Sequence, residues 1–481
     1  MRGTGRKPAR RGREALPDVI AYLERYQELV DDWTAFEDAM RRPLPTCVWA
    51  NPARIGTENL ADLLAEDGVE SQPLAGVPGG LRLADGFRSG RRWWFVAGLA
   101  HVQEAVSQVP VQLMDLRPGQ RVLDLCAAPG GKTAQIGFAL GNRGTLLAND
   151  FSTDRIKALQ GNLDRLGLIN VTTSCWDASN WPATAGRFDR ILLDAPCSSE
   201  GTLRRNPALV TRLGTGLSGR LAERQKALLR KAVQCAVPGG RILYSTCTLA
   251  VEENELVVRD IMREFDGRLR LVPAQLSGLI TAPGVTRWCG ECLGDEFVAC
   301  IRIWPHHNDT GGFFMAVLEK EGERQDEVSP QTANLGADLD PVWIQGLTRH
   351  YGLPEDLWQR FRIHRQTRRG LHLAAVDHIP PAFPPREGSG LFFLRTNIRI
   401  PKLSTAGALL LGPYATRQQI ALSWEQRDFY LARCDLTPTS VQTADLRPGQ
   451  VLATYRGFTL GVALFHRSGT MESLFPRRWS G

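Results

Sequence analysis

Two cysteines in this 481-residue chain close runs that read as β-strands. They are Cys197, in Asp194-Ala195-Pro196-Cys197-Ser198-Ser199, and Cys247, in Tyr244-Ser245-Thr246-Cys247-Thr248. Open α/β sheets bind ligands outside the carboxyl ends of their strands, and both thiols fall there. A single buried cysteine usually packs as a small inert hydrophobe. Two of them at corresponding edges of neighbouring strands point instead to covalent catalysis by a thiolate. The same edge carries Cys126-Ala127-Ala128-Pro129-Gly130-Gly131-Lys132-Thr133, between a strand and a helix. A glycine-rich turn of this kind lets a ligand approach the backbone and meet the helix N-terminus.

Two ligand classes compete for that turn. Gly131-Lys132-Thr133 looks like the end of a phosphate-cradling loop, but Cys126 stands where such a loop opens on glycine, and Pro129 removes a backbone donor. A nucleoside-bearing cofactor asks for an acid about 20 residues downstream, at the end of the next strand. Asp150 stands there. Asp177 follows the next strand-like run, where it would meet an adenine amino group or cap a helix. The candidate cofactor residues are therefore Cys126, Ala127, Ala128, Pro129, Gly130, Gly131, Lys132, Asp150, Asp177 and Asp194. Lys132 is one of only seven lysines in an arginine-rich chain, which hints that a flat guanidinium would not fit there.

The elements that position these residues are legible as short aliphatic runs at 122–125, 145–148, 191–193 and 241–244, with helical patterns at 155–166 and 220–237 between them. Strand–helix alternation predicts an α/β fold with a doubly wound, Rossmann-like parallel sheet over 115–320. Before it, a long helical pattern from Pro17 to Phe36 and a mixed region to 114 read as an N-terminal α+β domain. Residues 1–16 are basic and without apolar pattern, a disordered arm. A polar linker leads to a small C-terminal domain at 340–481. Trp93, Trp94 and Phe95 follow two arginines, a cluster that stacks on bases or fills a core. Arg204 and Arg205 read as a phosphate-holding pair or as a solvated loop. Cys289, Cys292, Cys300, His306 and His307 come too close together, across a strand-like run at 297–304, for a structural zinc site, so no metal is expected.

With 43% hydrophobic and 23% charged residues, collagen-like and disordered classes are out. The net charge of +7 suits a polyanionic partner. No apolar run reaches membrane-spanning length and no secretory signal is evident, so a cytoplasmic protein with free thiols is expected.

Taken together, the Gly-loop, Asp-Ala-Pro-Cys-Ser and Ser-Thr-Cys-Thr motifs resemble those of the NOL/NOP/Sun RNA cytosine-5 methyltransferases. His101-Val102-Gln103-Glu104, Glu252-Glu253-Asn254-Glu255 and Trp304-Pro305-His306 leading to Gly312-Phe313-Phe314 add to the likeness over about 20–320. One departure is Trp49-Ala50-Asn51, where the family has Arg-x-Asn. Length and the extra C-terminal part are most similar to the bacterial RsmF-type subgroup, which acts on small-subunit ribosomal RNA and ends in a PUA-like RNA-binding module. The resemblance implies S-adenosyl-L-methionine as cofactor, RNA as partner, Cys247 as nucleophile on carbon 6 and Cys197 in product release. It also implies Asp194 beside the cofactor. From a dry pocket that raises its pKa, Asp194 is expected to donate to nitrogen 3 of the base, with Lys132 as the second polar candidate. Transfer RNA is the alternative substrate, a non-catalytic RNA-binding assembly factor the alternative function, and a monomer the expected state.

Overall fold

The computed structural model describes residues 18–84, 87, 92–214, 216–322, 332–333, 341–367, 369–398 and 401–477. The basic arm and most of the expected linker lie outside them. At the centre is a 10-stranded sheet. Its strands are β1 (Arg121–Asp124), β2 (Thr145–Asn149), β3 (Val171–Ser174), β4 (Phe188–Asp194) and β5 (Ala236–Thr246). They continue with β6 (Leu269–Leu271), β7 (Ala282–Pro283), β8 (Ile301–Ile303), β9 (Phe313–Lys320) and β10 (Arg386–Ser389). The order is β7-β8-β9-β5-β4-β1-β2-β3-β10, with β6 paired to β9. Strands β1 to β5 run parallel; β9 returns antiparallel to β5. The chain therefore reverses its strand order beside β1, which places a binding crevice at the carboxyl ends of β1 and β4.

Parallel strands covered on both faces need apolar residues throughout, and Val122, Leu123, Ile191, Leu192 and Leu193 are all fully buried. The covering helices are α1 (Gly131–Ala139), α2 (Thr153–Leu166), α3 (Leu217–Cys235) and α4 (Glu255–Glu264). Helix α2 starts where Ser152 accepts from the Arg155 N–H and stops at Gly167 in the left-handed region, so its boundaries follow local chemistry.

The N-terminal pattern differs from the single helix expected over 17–36. It breaks into a helix at Val19–Leu23, a 3-10 stretch at Glu24–Leu29 and a second helix at Trp33–Arg41. Asp32 ends the continuity by capping the second helix through the Ala35 N–H. The short aspartate side chain competes with the helical backbone here and wins. The run at 297–304 likewise divides into a 3-10 turn (Asp295–Ala299) and β8. Trp93 and Trp94 are 3% and 0% exposed, so they belong to a core and not to a base-stacking surface.

A four-stranded N-terminal sheet (Cys47–Ala50, Ser71–Pro73, Gly80–Leu83 and Ala100–Val102) precedes the central one. Two further four-stranded sheets follow it, one starting at Phe361–Thr367 and the other at Gln419–Ala421. The last of these shares a core with the N-terminal sheet: Val48, Leu81, Trp93 and Leu99 pack in one cluster with Ile420, Tyr430, Val451 and Phe475.

Candidate active site

Strand β1 delivers the loop that starts at Leu125 and turns into α1. Gly130 takes φ +105°, and a Cβ there would meet Leu159 Cδ1 at 2.6 Å, so the tight loop-to-helix entry requires glycine. Beneath the loop, Asp124 is 1% exposed. One oxygen accepts from Thr133 Oγ1 at 2.7 Å, and burial lifts the carboxyl to about 7 against the hydrogen bonds from Thr133 and the Cys126 backbone. The Asp150 carboxylate closes the loop from β2, accepting from the Ala128 N–H at 3.2 Å and the Ser152 N–H at 3.1 Å, with Arg155 at 3.3 Å. Burial, then the Asp124, Asp150 and Asp194 carboxylates, push the Cys126 thiol up. Asp177 caps the turn Ala178–Asn180, accepting from the Ser179 N–H at 3.0 Å. Between Asp150 and Asp177 in sequence, Phe151 is 68% exposed and has the Arg224 guanidinium 5.8 Å over its ring.

These residues fit a nucleoside-bearing cofactor with a cationic amino group. An exposed aromatic ring next to carboxylates suits a flat heterocycle, and the acids around the loop suit the amino group.

Next along the edge, a cleft of about 140 Å3 is lined by Glu104, Lys132, Asp194, Arg205, Cys247 and Phe313, among others. Lys132 Nζ donates to Asp194 Oδ2 at 2.8 Å and lies 5.3 Å over the Phe313 ring. Burial pulls the ammonium down, and the Asp194 carboxylate more than offsets this, so Lys132 stays charged. Ser245 Oγ donates to the other Asp194 oxygen at 2.9 Å. Both carboxylate oxygens thus accept, which differs from the expectation that Asp194 donates; the donor in this pair is Lys132. Glu104 accepts from the Gly311 and Ser107 N–H groups, and burial raises its carboxyl.

The two thiols meet: Cys197 Sγ and Cys247 Sγ are 3.4 Å apart. The hydrogen bond between them lowers the Cys247 thiol against the effect of burial and raises Cys197. Cys47, Cys126, Cys235 and Cys300 are all pushed up by burial, so the site prepares one thiolate in particular. Ser199 Oγ lies 3.5 Å from the Cys247 sulfur. Asn254 fixes the loop that carries Cys247, accepting from Thr246 Oγ1 at 2.6 Å and donating to the Thr248 carbonyl at 3.1 Å. Glu253 supports the other loop by accepting from the Ser198 N–H at 3.0 Å.

Several residues fall elsewhere. Arg204 is not a phosphate holder: its side chain is 0% exposed, pairs with Asp309 at 2.7 Å and donates to the Thr310 carbonyl. Arg205 is the exposed member and reaches the cleft. Cys289 and Cys292 sit exposed on a small hairpin and Cys300 is buried, whereas His306 and His307 turn to Asp31 at 2.9 and 3.0 Å. Phe151, Glu104 and Phe313 were missed as single residues. For Phe151 the available signal was its place directly after the acid that ends β2.

A model of the family described as 16S rRNA methyltransferase RsmB/F matches residues 111–319. The chain is 33% identical over 305 residues to the tRNA (cytosine(49)-C(5))-methyltransferase of Pyrococcus abyssi, covering 62% of this chain and 95% of that one. It is 36% identical over 291 residues to a 28S rRNA (cytosine-C(5))-methyltransferase of Mus musculus, covering 59% of this chain but only 36% of the mouse protein. A solved methyltransferase homologue from Pyrococcus horikoshii superposes with TM-score 0.55 at 31% identity, over 63% of this chain and 94% of its own. The central sheet is accordingly a Rossmann-like methyltransferase fold. The chain belongs to the family of RNA cytosine-C5 methyltransferases, enzymes that use S-adenosyl-L-methionine.

Proposed function

We propose that this chain methylates carbon 5 of a cytosine in RNA, that its substrate is small-subunit ribosomal RNA, and that it works in the cytoplasm as a monomer. The observation that carries the reading is the meeting of Cys247 and Cys197 at 3.4 Å, with Cys247 in a cleft that also holds the Lys132–Asp194 pair. In this reading residues 115–320 form the catalytic domain, 17–114 and the PUA-like 340–481 bind RNA, and the arm 1–16 precedes them. The description of the matching family as 16S rRNA methyltransferases supports the ribosomal substrate. The archaeal relative supports transfer RNA as the second reading.

Carbon 5 of cytosine is too weak a nucleophile to be methylated unaided. The base leaves its stack and enters the cleft. The Cys247 thiolate forms a bond to carbon 6, electron density moves onto carbon 5, and charge builds toward nitrogen 3. Lys132 is the cation placed to meet that charge, and Asp194 holds it in position. S-adenosyl-L-methionine, when bound, supplies an electrophilic methyl group to carbon 5. The carbon 5 proton then passes to solvent water in the cleft, and the electron pair it leaves re-forms the carbon 5–carbon 6 double bond and expels Cys247 from carbon 6 as thiolate. Cys197, protonated and next to the departing sulfur, donates to the Cys247 thiolate as it leaves. Phe151, Asp177 and the Cys126–Gly131 loop bind the cofactor, while Asp150 holds that loop closed.

The test is transfer of labelled methyl groups to ribosomal RNA. Cys247→Ala should abolish it, and full activity of that variant would remove Cys247 from its role. Cys197→Ala should accumulate a protein–RNA adduct that survives denaturation, because addition proceeds and release stalls. Bisulfite sequencing of total RNA from cells lacking the gene separates the ribosomal from the transfer RNA reading.

A further inference from the structure

A second cleft, of about 310 Å3, lies where the two C-terminal sheets meet the end of helix α2. Asp164 of α2, Phe392, Arg395, Lys402 and Arg477 line it. Lys402 is half-buried, and burial together with the like charges of Arg395 and Arg433 outweighs the nearby Glu472 carboxylate and lowers its ammonium. Neither Arg395 nor Lys402 has an ion-pair partner among the described residues. Two like charges held together at a cavity, neither in an ion pair among the described residues, mark a place for an anion. The acid that lines the cleft does not neutralise them: Asp164 makes no ion pair among the described residues, accepts from the Phe392 backbone, and is raised to about 7 by burial. Phe392 is half-buried, and its ring forms a contact with His372 at 5.2 Å. A single ligand that uses all of these has a phosphate, a flat ring and an N–H edge.

We propose that this cleft is a second RNA site, taking one nucleotide of a single-stranded segment with its phosphate on Arg395 and Lys402 and its base toward Phe392 and Asp164. The proposal rests on the RNA reading above and adds to it a place of contact remote from the thiols. Helix α2 leaves the catalytic edge just after Asp150 and carries Asp164 in its last turn. At 1.5 Å per residue its 14 residues put the cleft roughly 20 Å from that edge. The site therefore holds RNA that flanks the target and cannot touch the reacting base.

The experiment uses the full chain, a fluorescent 20-nucleotide single-stranded RNA as probe, and anisotropy titrations at several salt concentrations. Arg395→Ala/Lys402→Ala should weaken binding about tenfold and lower the slope of log affinity against log salt by about 1.4, two cations at about 0.7 each. Cofactor binding and the melting temperature should not move, which shows that the variant is folded. Asp164→Asn should change the ranking among oligo(C), oligo(A), oligo(U) and oligo(G) and leave the salt slope alone, because it alters the base edge and no phosphate contact. Wild-type affinity and slope in the double variant, with methylation intact, would overturn this site alone and leave its cations to an acidic protein surface. Absence of RNA binding by the unmodified chain would overturn the RNA reading itself.

Discussion

At the scale of single residues, the arrangement turns on the contact between two sulfurs 3.4 Å apart. Their hydrogen bond lowers the Cys247 thiol and raises Cys197, so the lowered Cys247 thiol depends on its neighbour. Thiolate is present above the Cys247 pKa and is lost as pH falls through it. Replacing Cys197 by Ala removes the donor, so the iodoacetamide alkylation of Cys247 should shift its midpoint to higher pH; Cys197→Ser, which keeps a donor, should shift it less. An unmoved midpoint in the Ala variant would show that Lys132 and Ser199 suffice. Lys132 itself is 12% exposed, fixed between the Asp194 carboxylate and the Phe313 ring. Lys132→Met should lower single-turnover methylation by about 100-fold or more, the usual loss when one electrostatic donor is removed from a dry site. Lys132→Arg should recover little of it, since a planar guanidinium does not match a space shaped for a compact ammonium. Substantial activity in the Arg variant would mean that charge alone is required.

At the scale of elements, the thiols are only as well placed as the strands and loops behind them. Helix α4 follows the Cys247 loop and is tied to β8 by a buried ion pair, Glu255 with Arg302 at 2.5 Å, with side chains 0% and 3% exposed. Arg302→Met leaves a buried carboxylate without its cation and should cost about 3–5 kcal/mol, read as a lower urea midpoint. The double change Glu255→Leu/Arg302→Met should recover most of the loss, and failure to do so would point to the Arg302 bond to the Leu249 carbonyl as the main support. The central strands were legible because a strand buried on both faces must be an unbroken apolar run, and Val122-Leu123 and Ile191-Leu192-Leu193 are that. The loop and the two cysteines were legible because glycine and strand-end position are local signals. The pairing of Lys132 with Asp194, the burial of Arg204 and the support from Glu104 were not, because each depends on residues 62 to 207 positions away that only the folded sheet brings together. The long helix expected before residue 36 failed for a local reason: apolar spacing at three and four residues continues through Asp31 and Asp32, and spacing alone does not register a cap.

At the scale of the whole molecule, the ends of the chain are joined more closely than its order in sequence suggests. Trp93 lies 4.9 Å from the Tyr455 ring and 6.3 Å from Phe458, and the N-terminal sheet buries Val48, Leu81 and Leu99 against the last sheet. Strand β10, from the C-terminal part, also pairs with β3 and covers the edge of the central sheet. An exposed edge and an uncovered apolar face both invite association. A chain ending at residue 322 should therefore lose solubility and bind a hydrophobic dye, even though every residue of the catalytic cleft is retained. Trp93→Ala in the full chain tests the same interface more gently: removing a fully packed indole should cost about 3–5 kcal/mol and lower the melting temperature, while the alkylation profile of Cys247 stays where it was. The two measurements separate the possibilities, because the cleft is built from the central sheet and the interface is not. A truncated chain that stays monomeric, melts as the full chain does and keeps the Cys247 profile would show that the terminal sheets ride on the catalytic core without supporting it.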